Sequence, residues 1–304
     1  MVLCGGVGGA RMARALAGTV APERLTVIVN VGDDDSVYGV YVAADLDTVV
    51  YTLAGIEGPQ GWGLAEDTFN VMAELEQRGL DTSFQLGDRD LATCLYRTEQ
   101  LGRGKPLSTV TADICRMLGL GMQVLPATDD LVRTRVKVAS GEWMSFQEYF
   151  VRRRHRDPVV ELEYAGAASS TPAPGALEAL QNADLVIIAP SNPPLSIWPI
   201  LTIPGIRAAV AAAATVAAIS PLFAGNALKG PARQVMASLG MPEGTAGILA
   251  AYEGLINTLV VDTADVDDER LSTPATRVVG ADTLLVEPAA GRRFAAWLID
   301  TMSQ

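Results

Sequence analysis

The sequence predicts an α/β fold, a doubly wound and mostly parallel sheet with a small inserted α+β subdomain. Three observations carry this. Residues 25–31, 184–190 and 216–220 are short, near-continuous apolar runs, the pattern of parallel strands covered on both faces. Helical patterns separate the strands, so that strands and helices alternate as they do around a parallel sheet. A polar or glycine-rich loop follows each of the candidate core strands, and all of these loops would lie along one edge of the sheet. The chain has 304 residues, 49% of them apolar, which allows one large α/β domain or two small ones with a sizeable core.

Residues 1–4 form a short apolar strand that ends in Gly5-Gly6-Val7-Gly8-Gly9-Ala10-Arg11, and a helix follows. Strand, glycine loop and helix is an arrangement that cradles phosphates, because backbone N–H groups and the helix dipole favour an anion. The spacing is neither GxGxxG nor a P-loop. A tight turn that needs glycine for its backbone alone is the other reading. Residues 25–31 are the second strand, followed by the stretch around which the chain is organised. It runs from Asn30 through Asp33, Asp34 and Asp35 to Gly39, then to Asp45, Asp47 and Thr48. Aspartates clustered past the carboxyl end of a strand hold a hard cation such as Mg²⁺ or accept hydrogen bonds from a polar ligand. A solvated acidic turn capping the next helix explains them equally well.

A helix is expected from residue 46, then the loop Gly61-Trp62-Gly63 leading to Phe69 and a helix over residues 71–77. Trp62 and Phe69 suit stacking on a flat ring, or anchoring a core. In Gly87-Asp88-Arg89-Asp90, a guanidinium flanked by carboxylates suits clamping a phosphate or a ring carbonyl. A helix cap with a surface ion pair is the alternative. After a helix over residues 107–117, residues 121–125, 132–138 and 159–164 alternate in the β manner. Residues 119–166 are therefore read as the insertion, and 1–118 with 167–304 as the core. The insertion holds Arg152, Arg153, Arg154 and Arg156, a solvated edge or a phosphate-facing patch. Residues 167–175 read as a linker. The strand at 184–190 ends in Ser191-Asn192-Pro193-Pro194, a compact set of donors and acceptors for a nucleotide. Lys229, between Gly225 and Gly230, is placed to meet a phosphate. Helices at 233–239 and 246–252, strands at 258–261 and 283–286, and a helix from 289 complete the pattern.

Composition removes whole classes of function. The net charge of -12 argues against broad nucleic-acid binding and against docking on an anionic membrane. His155 is the sole histidine, so neither a Ser-His-Asp triad nor a multi-histidine zinc site can be built within one chain. Cys4, Cys94 and Cys115, odd in number and without a CxxC pair, indicate reduced thiols and a cytoplasmic location. No signal-peptide pattern opens the chain, and the Ala-rich run at 206–220 is too short and too weakly apolar to span a bilayer.

Taken together, Gly-Gly-Val-Gly-Gly-Ala-Arg, Asn-Val-Gly-Asp-Asp, Asp-Leu-Asp-Thr, Gly-Trp-Gly, Leu-Gly-Asp-Arg-Asp-Leu-Ala-Thr, Ala-Pro-Ser-Asn-Pro and Ser-Pro-Leu-Phe-Ala-Gly resemble the 2-phospho-L-lactate transferase family of coenzyme F-420 biosynthesis. The motifs stand in the family's order from Leu3 to about Gly230. The Ala-rich, Arg-over-Lys composition looks most like the actinobacterial branch, described as phosphoenolpyruvate transferases. The resemblance implies a Rossmann-like core with an inserted region, and a homodimer. It implies transfer of a phosphoenolpyruvyl or 2-phospholactyl group from a guanosine-diphosphate-activated donor to the deazaflavin alcohol FO, with release of GMP and a requirement for Mg²⁺. Carried onto this chain, the metal falls to Asp33 or Asp34 together with Asp45 or Asp47, and FO to Asp45 and Arg89. Catalysis would then rest on Asp45, Asp47 and Arg89. Gly6, Gly8, Gly9, Arg11 and Lys229 would meet phosphates, Trp62 and Asp88 would line the acceptor, and Ser191 and Asn192 would face the nucleoside. One departure is Ala44, where the family motif has proline before Asp-Leu-Asp. Two other readings compete. A nucleotide-sugar-binding regulator of the same superfamily would lack the Asp45 and Arg89 set. An NAD-dependent oxidoreductase would need GxGxxG and a single acidic residue after the second strand.

Overall fold

The computed structural model describes residues 1–227, 231–265 and 271–303. The chain opens with β1 (Val2–Cys4), α1 (Gly6–Ala17), β2 (Thr26–Val29), a hairpin of β3 (Asp35–Val37) and β4 (Val40–Val42), and α2 (Ala44–Ala54). Next come α3 (Asn70–Gln77), α4 (Asp88–Gly102), α5 (Leu107–Met117), β5 (Gln123–Pro126), β6 (Arg133–Val138), β7 (Trp143–Ser145) and β8 (Val159–Ala165). The second half contains α6 (Ala176–Gln181), β9 (Val186–Ile188), α7 (Trp198–Leu201), α8 (Ile206–Ala212), β10 (Val216–Ile219) and the two short strands β11 (Leu222–Phe223) and β12 (Asn226–Ala227). It ends with α9 (Ala232–Ser238), α10 (Gly244–Ala251), β13 (Thr258–Asp262), β14 (Arg277–Ala281) and α11 (Pro288–Met302).

Seven strands pair in the order β14-β13-β10-β9-β1-β2-β5, and every pairing is parallel. The apolar runs are what this requires. β1, β9 and β10 are buried at every residue because helices cover both faces of the sheet. On one face α1, α2, α5 and α11 contribute Met12, Val49, Val110 and Leu298 to a common core. On the other, α6, α7, α8 and α10 contribute Leu180, Ile200, Val210 and Ile248. The chain begins in the middle of the sheet, steps outward through β2 to β5, returns beside β1 as β9, and steps outward the other way. Strand order therefore reverses between β1 and β9, and the crevice beyond the carboxyl ends of those two strands is where such a sheet binds ligands. This is the Rossmann-like, doubly wound architecture expected from the sequence.

Two expectations about the elements are corrected. Residues 121–125 are not part of an insertion: β5 pairs with β2 from Thr26↔Gln123 to Val29↔Pro126 and forms an edge of the main sheet. The segment that leaves the sheet begins after Pro126, and its strands are the separate antiparallel sheet β7-β6-β8. The final strand lies at Arg277–Ala281, paired with β13, rather than at 283–286, where Leu284 and Val286 are exposed. The β3–β4 hairpin turns at Tyr38 and Gly39, both at positive φ (53° and 80°). That backbone matches the twist of a two-residue hairpin. It projects β3 and β4 from the crevice against α3 and α4 through Val40, Val42, Met72, Leu86 and Cys94.

Candidate active site

Gly5 closes β1, and α1 starts at Gly6, whose φ of +61° turns the chain sharply into the helix. The Gly6 N–H donates to Asp45 Oδ1 at 2.7 Å, so a carboxylate of this chain already lies at the N-terminus of α1. Two of the other glycines answer to packing. A Cβ on Gly8 would lie 2.2 Å from the Pro190 carbonyl oxygen, and one on Gly9 would lie 2.7 Å from Ser191 Oγ. Close approach of α1 to the β9 loop thus explains Gly8 and Gly9 without a phosphate. Ser191 is buried; its hydroxyl donates to the Gly5 carbonyl (2.8 Å) and accepts from the Gly5 N–H (3.2 Å). Asn192 Oδ1 accepts from the Leu195 N–H at 3.2 Å, capping the turn Pro193–Ile197. Both residues stand at the switch point as expected, but the Ser191 hydroxyl stitches the β1 and β9 loops together. It faces backbone, not a nucleoside.

The acidic stretch folds into the same crevice. Asn30, at the end of β2, donates from Nδ2 to Asp45 Oδ2 (2.9 Å), and its Oδ1 accepts from the Gly32 N–H (2.8 Å). Asp34 Oδ2 accepts from the Tyr41 hydroxyl at 2.8 Å. Asp33 Oδ1 and Asp34 Oδ1 are buried and have no hydrogen-bond partner among the described residues. Burial pushes the Asp34 carboxyl up to about 8, against the pull of Tyr41 and Arg133. It raises Asp33 well above the usual range, with the Asp45 charge adding to the effect. Asp45, held by Asn30 and Gly6, rises to about 6, again chiefly through burial. Buried carboxylates that repel one another and leave oxygens unpaired are costly unless a cation compensates them. Hard oxygen donors of this kind fit Mg²⁺.

Asp47 lies elsewhere. Residues i and i+2 of a helix sit on opposite sides, so Asp45 faces the crevice while Asp47 turns into the α2–α4 interface. There it forms a buried ion pair with Arg97, which is 2% exposed. Arg97 Nη1 also donates to the Tyr41 carbonyl at 3.3 Å. Asp90 accepts from the Tyr51 hydroxyl at 2.8 Å, and burial pushes its carboxyl up to about 7. Ligand atoms of Asp47, Asp90 and Cys94 lie within 4.8 Å of one another. The guanidinium already bonded to Asp47 supplies the positive charge at that place. The structure therefore separates Asp47 from the other predicted catalytic residues, Asp45 and Arg89.

Arg89 sits in the first turn of α4 and is exposed, with Nη1 donating to the Ala65 carbonyl at 3.2 Å. Asp88 does not point at the crevice. It accepts from Thr68 Oγ1 (2.6 Å), Asn70 Nδ2 (2.8 Å) and the N–H groups of Asn70 and Val71 (3.1 and 3.0 Å), which caps α3. Asp67 returns the favour by accepting from the N–H groups of Arg89 (2.9 Å) and Asp90 (3.1 Å), capping α4. The bonds from Thr68, Val71 and Asn70 hold the Asp88 carboxyl down at about 2. The Gly61-Trp62-Gly63 loop rides on the first turn of α1, where a Cβ on Gly61 would lie 2.6 Å from Val7 Cγ1. Trp62 is 52% exposed and Phe69 49%, so neither is a core anchor. Arg11 is half-buried on α1, near the Arg14–Glu57 ion pair. Lys229 lies outside the described residues. Of the arginine run, Arg152 pairs with Asp81 (3.1 Å) and Arg153 with Glu142 (2.7 Å), as a solvated edge does.

Sequence reasoning missed the residues of the β6–β8 segment that brace the acidic turn and the loop after β9. Gln147 Nε2 donates to the Asp33 carbonyl at 2.7 Å, the Thr134 N–H donates to the Gly32 carbonyl at 2.7 Å, and the Tyr164 hydroxyl donates to the Pro194 carbonyl at 2.6 Å. The Arg133 guanidinium lies over the Tyr41 ring, 5.4 Å from its centroid. No short motif marks these contacts. Asn30, by contrast, opened the acidic stretch and was legible as a polar residue ending an apolar strand.

A family model described as 2-phospho-L-lactate transferase CofD matches residues 1–288. A phosphoenolpyruvate transferase of Kitasatospora aureofaciens is 44% identical over 274 residues, covering 87% of this chain and 85% of that protein. One of Thermobifida fusca is 43% identical over 282 residues, covering 88% and 87%. Among solved structures, a member of the UPF0052 family from Bacillus halodurans superposes with a TM-score of 0.63 at 15% identity, covering 100% of this chain and 98% of that one. At that identity the likeness concerns the fold.

Proposed function

The chain belongs to the 2-phospho-L-lactate transferase family, and we propose that it moves a phosphoenolpyruvyl group from a guanosine-diphosphate-activated donor to the deazaflavin alcohol FO, in coenzyme F-420 biosynthesis. The names of its relatives favour the enolpyruvyl over the lactyl group. The observation that carries the reading is the pair of buried, unpartnered oxygens on Asp33 and Asp34 beside Asp45, at the point where strand order reverses. A crevice with surplus negative charge suits a diphosphate only if a divalent cation comes with it.

In this reading Asp33 and Asp34 hold Mg²⁺, with Asp45 beside them. The ion supplies neutralisation of the diphosphate and of the departing GMP oxygen. The acceptor hydroxyl forms a bond to the phosphorus that carries the enolpyruvyl group, and the bond from that phosphorus to the bridging oxygen breaks. Asp45 accepts the hydroxyl proton. Its two hydrogen bonds, from Gly6 and Asn30, fix its orientation. Arg89, in the first turn of α4, and Trp62, on the loop before α3, are both exposed and suit a flat ring and its carbonyl, the guanidinium as donor and the indole as stacking face. Arg11, half-buried on α1, would meet the phosphates. We place the enzyme in the cytoplasm as a homodimer. Among the described residues no single helix is long and apolar enough to cross a membrane, and all three cysteines are free thiols.

The test is FO binding followed by its own fluorescence, with and without Mg²⁺ and GDP, on wild type and Arg89→Ala. Saturable binding that weakens in the variant supports the reading. Binding of UDP-sugars, with none of FO under any condition, refutes it in favour of a nucleotide-sugar regulator.

A further inference from the structure

We propose that Tyr41 is a positioning residue for Asp34: its hydroxyl holds one carboxylate oxygen so that the other is presented to the divalent cation. This rests on the reading of Asp33 and Asp34 as cation ligands. The Tyr41 hydroxyl donates to Asp34 Oδ2 at 2.8 Å, while Asp34 Oδ1 is buried without a partner. One oxygen of this carboxylate is anchored and the other is left for a ligand. An aspartate turns freely about its two side-chain bonds, and a single donor on one oxygen removes most of that freedom.

Tyr41 is suited to the task because it is itself fixed on every side. Its N–H donates to Thr98 Oγ1 at 2.7 Å, and its carbonyl accepts from Arg97 Nη1 at 3.3 Å. Its backbone pairs with Ser36 across the hairpin, and Arg133 from the small sheet covers its ring. Arg97 is in turn held by Asp47. The Asp-Leu-Asp motif thereby serves the site twice. Asp45 enters the crevice, and Asp47 acts at a distance, through Arg97 and Tyr41, on the geometry of Asp34. Outer donors of this kind commonly set metal affinity by a factor of about 10–100.

The decisive comparison is wild type, Tyr41→Phe and Asp34→Asn, titrated with Mn²⁺ in the presence of GDP, with free Mn²⁺ read by electron paramagnetic resonance. Phenylalanine keeps the ring beneath Arg133 and loses only the hydroxyl. We expect Tyr41→Phe to weaken Mn²⁺ binding by about tenfold or more and to raise the half-saturating Mg²⁺ for transfer by the same factor. kcat at saturating Mg²⁺ and KM for FO should stay close to wild type, which a general loss of packing would not allow. Thr98→Val, which removes the acceptor for the Tyr41 N–H together with the donor to the Cys94 carbonyl within α4, should shift Mn²⁺ affinity in the same direction by about threefold, and it keeps the test informative if the phenylalanine variant folds poorly. If wild type binds Mn²⁺ and Asp34→Asn does not, but Tyr41→Phe and Thr98→Val match wild type, the positioning role is overturned while the metal reading stands. If wild type and Asp34→Asn are alike in taking no Mn²⁺, the metal reading fails and the proposal falls with it.

Discussion

Two groups of buried carboxylates lie within a few residues of each other in sequence and differ in one respect. Asp33, Asp34 and Asp45 share the crevice at the β1–β9 switch point, and among the described residues no cationic side chain is bonded to any of them. Asp47, two residues from Asp45 and on the opposite side of α2, is bonded to Arg97. The first group feels only the more distant pull of Arg133 and Arg97 on Asp34, whereas the second is neutralised by a guanidinium in direct contact. Burial alone does not distinguish them, since all four are similarly inaccessible. What marks a site is burial without a partner, because such an arrangement survives only if something outside the chain completes it.

That contrast breaks most readily at Arg97. Arg97→Met leaves Asp47 buried and unpaired and should destabilise the protein by about 3–5 kcal/mol. Arg97→Met together with Asp47→Leu should cost clearly less than Arg97→Met alone, as measured by urea unfolding. The opposite behaviour is expected in the crevice. Asp33→Asn or Asp34→Asn should lower turnover by about 100-fold or more, with a melting temperature equal to or above wild type because a buried repulsion has been removed. A fall in both turnover and melting temperature would mean that the two groups are alike. Arg89→Ala, at the exposed rim, should weaken FO binding by about tenfold and leave the melting temperature unchanged.

The smallest effect is a slope with pH. The Asp90 carboxyl, raised to about 7 in the fold, keeps a proton that the unfolded chain releases near pH 4. Its contribution to stability therefore falls as pH rises between about 4 and about 7 and is level above that. In Asp90→Asn this part of the slope should vanish. A melting curve against pH that is unchanged in the variant would show that Asp90 is ionised throughout.

Much of this was legible in the sequence, for reasons that can be traced. The parallel strands announce themselves because both faces are covered, so β9 is Val-Ile-Ile without interruption. β5 was misassigned because it is short, begins with Gln123 and ends at Pro126 beside a run of β-patterned segments, and only its pairing with β2 shows where it belongs. β14 was missed because Arg277 and Gly280 break its apolar pattern, while Thr283-Leu284-Leu285-Val286 imitates a strand. The acidic residues were visible as residues, but their roles depend on partners. Sorting Asp45 from Asp47 takes the phase of α2 and a guanidinium 50 residues further on. The glycines of the first loop looked like a ligand's imprint, and Gly8 and Gly9 prove to be shaped by Pro190 and Ser191, almost the length of the core away in sequence.

The paired caps at Asp67 and Asp88 carry a consequence for the order in which the chain acquires its shape. α3 has eight residues, too few to persist alone in water, and the carboxylate that satisfies its first N–H groups belongs to Asp88, at the head of α4. α4 is begun in turn by Asp67, which precedes α3. Neither helix has its start secured until the other's lead-in has arrived. On a ribosome, the earlier of the two must wait for the later to emerge, and Arg89 is set in place at the moment both close.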